Sequence, residues 1–167
     1  LLDNWVLPYL RDRYDLHDII LIRNIHTCAI GESNVDKLIG ELETESNPTV
    51  GLAAHPGQTD VRITAKASSE EEARRLIAGM EQRVRALLGD VIYGVDEETL
   101  QGVVMELLRQ QGATLALVET NTLGRVAQQL AMAAKDPTLI KGSVIAPSNE
   151  ALQRSFALPP EAMAQEA

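Results

Sequence analysis

One cysteine, Cys28, in 167 residues leaves nothing for an intramolecular disulfide to join and excludes a zinc site built on thiolates. Aromatic residues make up only 3 %, and no run approaches the ~20 apolar residues that span a bilayer. No basic stretch precedes a short apolar one, the pattern of an export signal. Basic charge is also short: 15 Lys and Arg stand against 24 Asp and Glu, a net charge of −9. Affinity for a phosphate backbone rests on clustered Lys and Arg, so a nucleic-acid partner is not expected. A soluble cytoplasmic protein without a membrane partner is the expectation. Apolar residues at 45 % suffice for a packed core, and the length suits one ordinary domain or two small ones.

The chain begins Leu1-Leu2-Asp3 without a methionine, as expected of a piece of something longer. Its charge is uneven. Residues 1–100 carry ten basic and eighteen acidic groups, whereas residues 101–167 carry five and six. That shift marks a candidate module seam near residue 95.

Residues 1–16, with Trp5, Val6, Leu7, Tyr9 and Leu10 around Pro8, read as a connector or the tail of another domain. Ile19-Ile20-Leu21-Ile22, continued by alternation to Thr27, predicts a strand. Gly31-Glu32-Ser33-Asn34 supplies a turn and N-cap for a helix with apolar Val35, Leu38, Ile39 and Leu42. Asn47-Pro48 ends it. Residues 49–54 and 61–66 form a hairpin about His55-Pro56-Gly57-Gln58, with Val61, Ile63 and Ala65 on one face. Ser69-Glu70-Glu71-Glu72 is a capping box opening a helix with apolar Ala73, Leu76, Ile77, Met80, Val84, Leu87 and Leu88, closed by Gly89. Val91-Ile92-Tyr93 is a last strand. The order predicts an α+β fold of split βαβ type (βαββαβ): an antiparallel sheet with both helices on one face.

Beyond Asp96, taken as a helix cap, lie apolar Leu100, Val103, Val104, Leu107 and Leu108, with Gly112 as the stop. Thr114–Val118 and Gly142–Ala146 are near-continuous apolar strands flanking a helix with Val126, Leu130 and Ala133, a pattern of burial on both faces of a parallel sheet. Two such strands make a partial α/β unit, whose open edges and apolar faces predict self-association through residues 100–146.

Glu119-Thr120-Asn121-Thr122-Leu123-Gly124 follows the first of these strands. Ligands bind at the carboxyl ends of such strands, and the next helix N-terminus attracts phosphate. The plain alternative is that Asn121 or Thr122 caps the helix. His17, His26 and His55 are too scattered for a ligand cluster, so neither a metal site nor a cofactor is expected. Cys28 reads as a small packing residue.

Residues 118–124 resemble the Glu-Ser-x-Thr-Gly-Gly segment of the CinA family of competence/damage-inducible proteins and nicotinamide-nucleotide deamidases. Further matches follow in order: Ile30-Gly31-Glu32-Ser33, Asn47-Pro48-Thr49-Val50-Gly51, Val61–Ala67 and Leu88–Gly94. The resemblance implies a KH-like central domain over 17–94 and a truncated deamidase-like α/β region over 95–167. It also makes 1–16, with Val6-x-Pro8-x-Leu10, the linker from a missing molybdopterin-binding-like domain. Family deamidases use a serine nucleophile with a tyrosine and a lysine to release ammonia from nicotinamide mononucleotide. Here those positions read Thr120, Pro147 and Leu152, and Leu123 replaces a glycine. Glu119, Thr122 and Gly124 are the residues the resemblance assigns to a nicotinamide nucleotide. Lys141 precedes its strand, about 16 Å from the site end at 3.3 Å per residue. The expectation is therefore a degenerate site in a homo-oligomeric structural module. The alternative is a diverged deamidase acting through Thr120. RNA binding, suggested by the KH-like analogy, conflicts with the charge.

Overall fold

A computed structural model describes residues 2–14 and 18–157. A π-helical turn, Leu2–Val6, runs into α1 (Leu7–Tyr14), leaving Trp5, Tyr9 and Tyr14 exposed. The chain divides into two units, Leu1–Glu97 and Glu98–Ala167.

In the first unit the strands are β1 (Ile19–Cys28), β2 (Thr49–His55), β3 (Gln58–Ala67) and β4 (Ile92–Val95), with α2 (Glu32–Ile39) and α3 (Glu70–Leu88) between them. All pairings are antiparallel and the spatial order is β2-β3-β1-β4, so β3 splits the β1-α2-β2 unit. This is the α+β fold that the element order predicts. Strand periodicity explains its two faces. Val61, Ile63 and Ala65 of β3 are fully buried with Ile25 of β1, while Ile20 and Ile22 are 61 % and 53 % exposed on the other side. Buried Val35 and Ile39 of α2 and Ala73, Ile77, Met80, Val84 and Leu88 of α3 complete the same core. Each of the larger ones stabilises by about 1.5–3 kcal/mol. Within the core, the Thr27 hydroxyl donates to the Thr59 carbonyl at 2.7 Å, so its burial leaves no unmet polar group.

Local chemistry sets the boundaries, not always as expected. Ser69 caps α3 by accepting the Glu72 amide at 3.2 Å, but the Glu72 carboxylate takes the Ser68 hydroxyl at 3.0 Å. Gly89, at φ +56°, closes the helix. The hairpin turns at Pro56-Gly57, with Gly57 at φ +76°. In α2 the N-cap within Gly31–Asn34 is Gly31, whose carbonyl accepts the amides of Asn34 and Val35 at 2.9 and 3.1 Å. Leu38 is exposed there, and Leu42 is buried from a 3₁₀ turn, Leu42–Thr44. Leu87 likewise faces solvent, one position off the buried stripe of α3.

The second unit comprises α4 (Leu100–Gln110), β5 (Leu115–Glu119), α5 (Arg125–Ala133), β6 (Ile140–Ile145) and α6 (Asn149–Phe156). Thr99 caps α4 by accepting the Gly102 amide at 3.2 Å. The expected cap, Asp96, lies outside the helix: its carboxylate accepts the Arg23 guanidinium at 2.6 Å and the Asn24 amide at 3.0 Å. β5 and β6 pair in parallel, from Leu115↔Ile140 to Glu119↔Ile145. Two-sided burial does not hold among the described residues. β5 alternates, with Val118 50 % exposed, and β6 is exposed from Lys141 through Ile145.

Candidate functional site

β5 ends at Glu119, and the Ala146 amide after β6 donates to the Glu119 carbonyl at 2.8 Å, so both strands stop at one level. The chain then turns through Thr120–Gly124 into α5. Leu123 and Gly124 both lie in the left-handed region, at φ +51° and +90°. A Cβ on Gly124 would come within 2.7 Å of Ile145 Cδ1, so the backbone favours glycine and any side chain there would have to turn the end of Ile145 aside.

The helix N-terminus is already filled. Glu119, only 4 % exposed, turns its carboxylate onto α5. It accepts the Thr122 hydroxyl at 2.6 Å, the Val126 amide at 3.0 Å and the Ala127 amide at 2.8 Å. The Thr122 hydroxyl, then the backbone amides of Ala127, Val126 and Gly124, outweigh burial and hold this carboxyl below its ordinary range. Neither Asn121 nor Thr122 is therefore the cap. The charge expected from a bound phosphate is supplied by the protein's own side chain.

The other assigned positions surround this cap unevenly. Thr120 is exposed directly after Glu119, and exposed Pro147 follows buried Ala146 at the end of the neighbouring strand. Leu152 is half-buried in α6, whose cap is Ser148, its hydroxyl accepting the Ala151 amide at 3.2 Å. Glu150 beside it is held below the ordinary carboxylate range, first by the Ser148 hydroxyl. Lys141 sits between Ile140 and Gly142, the partners of Leu115 and Ala116, at the opposite end of the strand pair. Glu119, Thr122 and Gly124 are thus brought together, and Lys141 is kept away.

Away from this turn, His26 and His55 both reach Asp60, at 2.8 and 3.3 Å, a convergence that their sequence spacing conceals. His17 lies outside the described residues. Among the described residues no group of three or more His, Cys, Asp and Glu is arranged to hold a metal ion, and no helix is long and apolar enough to cross a membrane. A cleft of 480 Å³ on the first unit, between Asp18, Ser46, Thr49 and Thr64, is bridged by the Lys66–Asp18 ion pair at 2.8 Å.

Comparison with known proteins gives these units a context. The family described as Damage-inducible protein CinA KH domain matches residues 22–94. A CinA-like protein of Dictyoglomus turgidum is 35 % identical over 160 residues, covering 95 % of this chain and 38 % of the relative. Its counterpart in Dictyoglomus thermophilum is 34 % identical over 160 residues, with the same 95 % and 38 % coverage. A CinA-like protein of Prochlorococcus marinus is 36 % identical over 143 residues, covering 86 % and 33 %. The chain spans no more than 38 % of the length of these three relatives. The chain belongs to the CinA-like family of damage-inducible proteins, and residues 22–94 are its KH domain.

Proposed function

We propose that this chain is a structural, self-associating module of a CinA-type protein, carrying a nicotinamide-nucleotide amidohydrolase site that does not catalyse. The observation that carries this reading is the occupation of the α5 N-terminus by Glu119. An anionic nucleotide would compete there with a carboxylate already hydrogen-bonded three times.

The residues around it supply no activated nucleophile. A hydroxyl needs a base within hydrogen-bond reach and of suitable pKa. Thr120 has the hydroxyl. Segments 119–126 and 145–152 contain two carboxylates, Glu119 and Glu150, and no lysine, histidine or tyrosine. Both carboxylates are stabilised as anions by neighbouring hydroxyls, which makes them poor proton acceptors. Pro147 and Leu152 carry neither a proton nor a charge.

Self-association draws on the open strand pair. Among the described residues each strand has one neighbour, and Val118 and its partner Val144 are exposed on one face with Ile145 on the other, so edges and apolar side chains are both uncovered. Two measurements test the reading: ammonia release from nicotinamide mononucleotide by the purified chain, and light scattering at micromolar concentration. The expected results are no ammonia above the blank and a mass above that of a monomer. Ammonia release that disappears in Thr120→Ala would establish the alternative, a diverged amidohydrolase. A monodisperse monomer would remove the self-association.

A further inference from the structure

His26 lies on the open face of the first unit's sheet, where β1 runs between β3 and β4. Its two ring nitrogens face acceptors only. Nδ1 is 2.8 Å from Asp60 Oδ1 of β3, and Nε2 is 2.7 Å from the backbone carbonyl of Asp96, just past β4. A neutral imidazole has one N–H and one lone pair, so only the imidazolium can donate to both. The ring also stacks on Tyr93 of β4, with centroids 5.6 Å apart, which fixes its plane.

The other charged groups around it are consistent with this. Asp60 receives His55 Nε2 at 3.3 Å on its second oxygen. The Asp96 carboxylate points away to the Arg23 guanidinium at 2.6 Å and the Asn24 amide at 3.0 Å. Arg62 of β3 is turned to the Asn24 side chain at 3.1 Å. The two aspartates are thus the anions that set the ring's charge.

We propose that His26 is a proton-operated latch on the Asp96–Glu97 peptide, the last peptide of the first unit. As imidazolium it ties that peptide's carbonyl to β1 and β3. When a proton leaves, one nitrogen lone pair must face an acceptor oxygen. The Nδ1–H bond to the Asp60 carboxylate is charge-assisted and is the one retained. The Nε2 bond to the Asp96 carbonyl is lost and that carbonyl is freed, while Asp96 itself stays anchored by its amide, which donates to the Asn24 carbonyl at 2.9 Å, and by its carboxylate. Burial lowers the pKa of His26, but the hydrogen bonds and charges of Asp60 and Asp96 outweigh it and raise the pKa above 6.5. The sign follows: the latch holds fully below the ordinary imidazole value and opens as pH rises through the raised one.

NMR titration of the full chain between about pH 5.5 and 8.5, a range that brackets the ordinary imidazole pKa, tests this. The expected result is a His26 midpoint above 6.5. The Asp96 carbonyl carbon and the Glu97 amide should shift with that same midpoint. Those shifts should vanish in His26→Gln. Should that variant not fold, Asp60→Asn serves: removing the anion lets burial dominate, and the midpoint falls. A His26 midpoint at or below the ordinary value overturns the latch. So do Asp96 and Glu97 signals that stay still while His26 titrates, or an unmoved midpoint in Asp60→Asn.

Discussion

Replacing Gly124 by alanine tests whether the turn after β5 is held by packing as well as by backbone conformation. At φ +90° an L-residue costs about 1–2 kcal/mol. The new Cβ would also lie 2.7 Å from Ile145 Cδ1. Ile145 is 53 % exposed, so its end can turn aside, at about 0.5–1.5 kcal/mol for an off-rotamer χ. Alanine narrows the unfolded ensemble, which offsets about 0.4–1 kcal/mol. The net destabilisation is about 1–2.5 kcal/mol. Gly112→Ala is the control: its φ is +61°, with nothing within 4 Å of the added carbon. Its cost is the backbone part alone, about 0.5–1 kcal/mol. Urea unfolding followed by far-UV circular dichroism separates the two. With a slope of about 1 kcal/mol/M for a small unit, the Gly124→Ala midpoint falls by about 1–2.5 M, roughly twice the control. Ile145→Val deletes Cδ1, so the double variant recovers part of the loss. Equal shifts in the two single variants, or no recovery in the double, refute the Ile145 contact.

Two further outcomes follow from the caps. Ser69→Ala removes the acceptor of the Glu72 amide and costs α3 about 1 kcal/mol, read as a lower Tm of the transition that includes α3. Glu119→Gln keeps the side-chain shape but removes the charge from the α5 N-terminus, and far-UV circular dichroism should show less helix at neutral pH. The folded-state pKa of Glu119 lies below 4.5, so its contribution is complete above that value and is lost as pH falls through the lowered one. Wild type therefore loses stability in that acid window more steeply than Glu119→Gln. Identical acid profiles would remove the carboxylate from this account.

Much of the fold is legible in the sequence because its signals are local. Alternation in Val61–Lys66 reports a strand with one buried face, and Pro56-Gly57 reports a tight turn. The Ser69 capping box and the 3.6-residue stripe after it place α3. The exposure of β5 and β6 is not legible in the same way, because apolar composition records what a strand tolerates, whereas its neighbours decide what is covered. Asp96 escapes for a different reason. Its aspartate-before-helix pattern mimics a cap, but its partners Arg23, Asn24 and His26 lie 73, 72 and 70 positions earlier. The frame of the candidate site is readable from an apolar strand followed by Thr, Asn, Thr and Gly. Glu119 as the cap is not, because it reaches amides seven and eight residues on, across a turn that only the folded backbone defines.

That turn bears on what the α5 terminus can bind. A phosphate reaching the amides of Val126 and Ala127 must displace a carboxylate that shares their chain. The tethered group loses no translational freedom on binding, and the free ligand does. Leu123, at φ +51° and exposed, adds a side chain where a close approach of ligand to backbone favours glycine. Acid does not set a doubly charged ligand against an uncharged cap. Neutralising Glu119 requires a pH below its ordinary 4.5, because its hydrogen bonds stabilise the anion. A phosphate monoester, whose second pKa is about 6, has by then lost its second charge. The doubly charged ligand and the neutral Glu119 belong to different pH ranges, so wherever the ligand carries both charges the Glu119 carboxylate is charged as well and already in place.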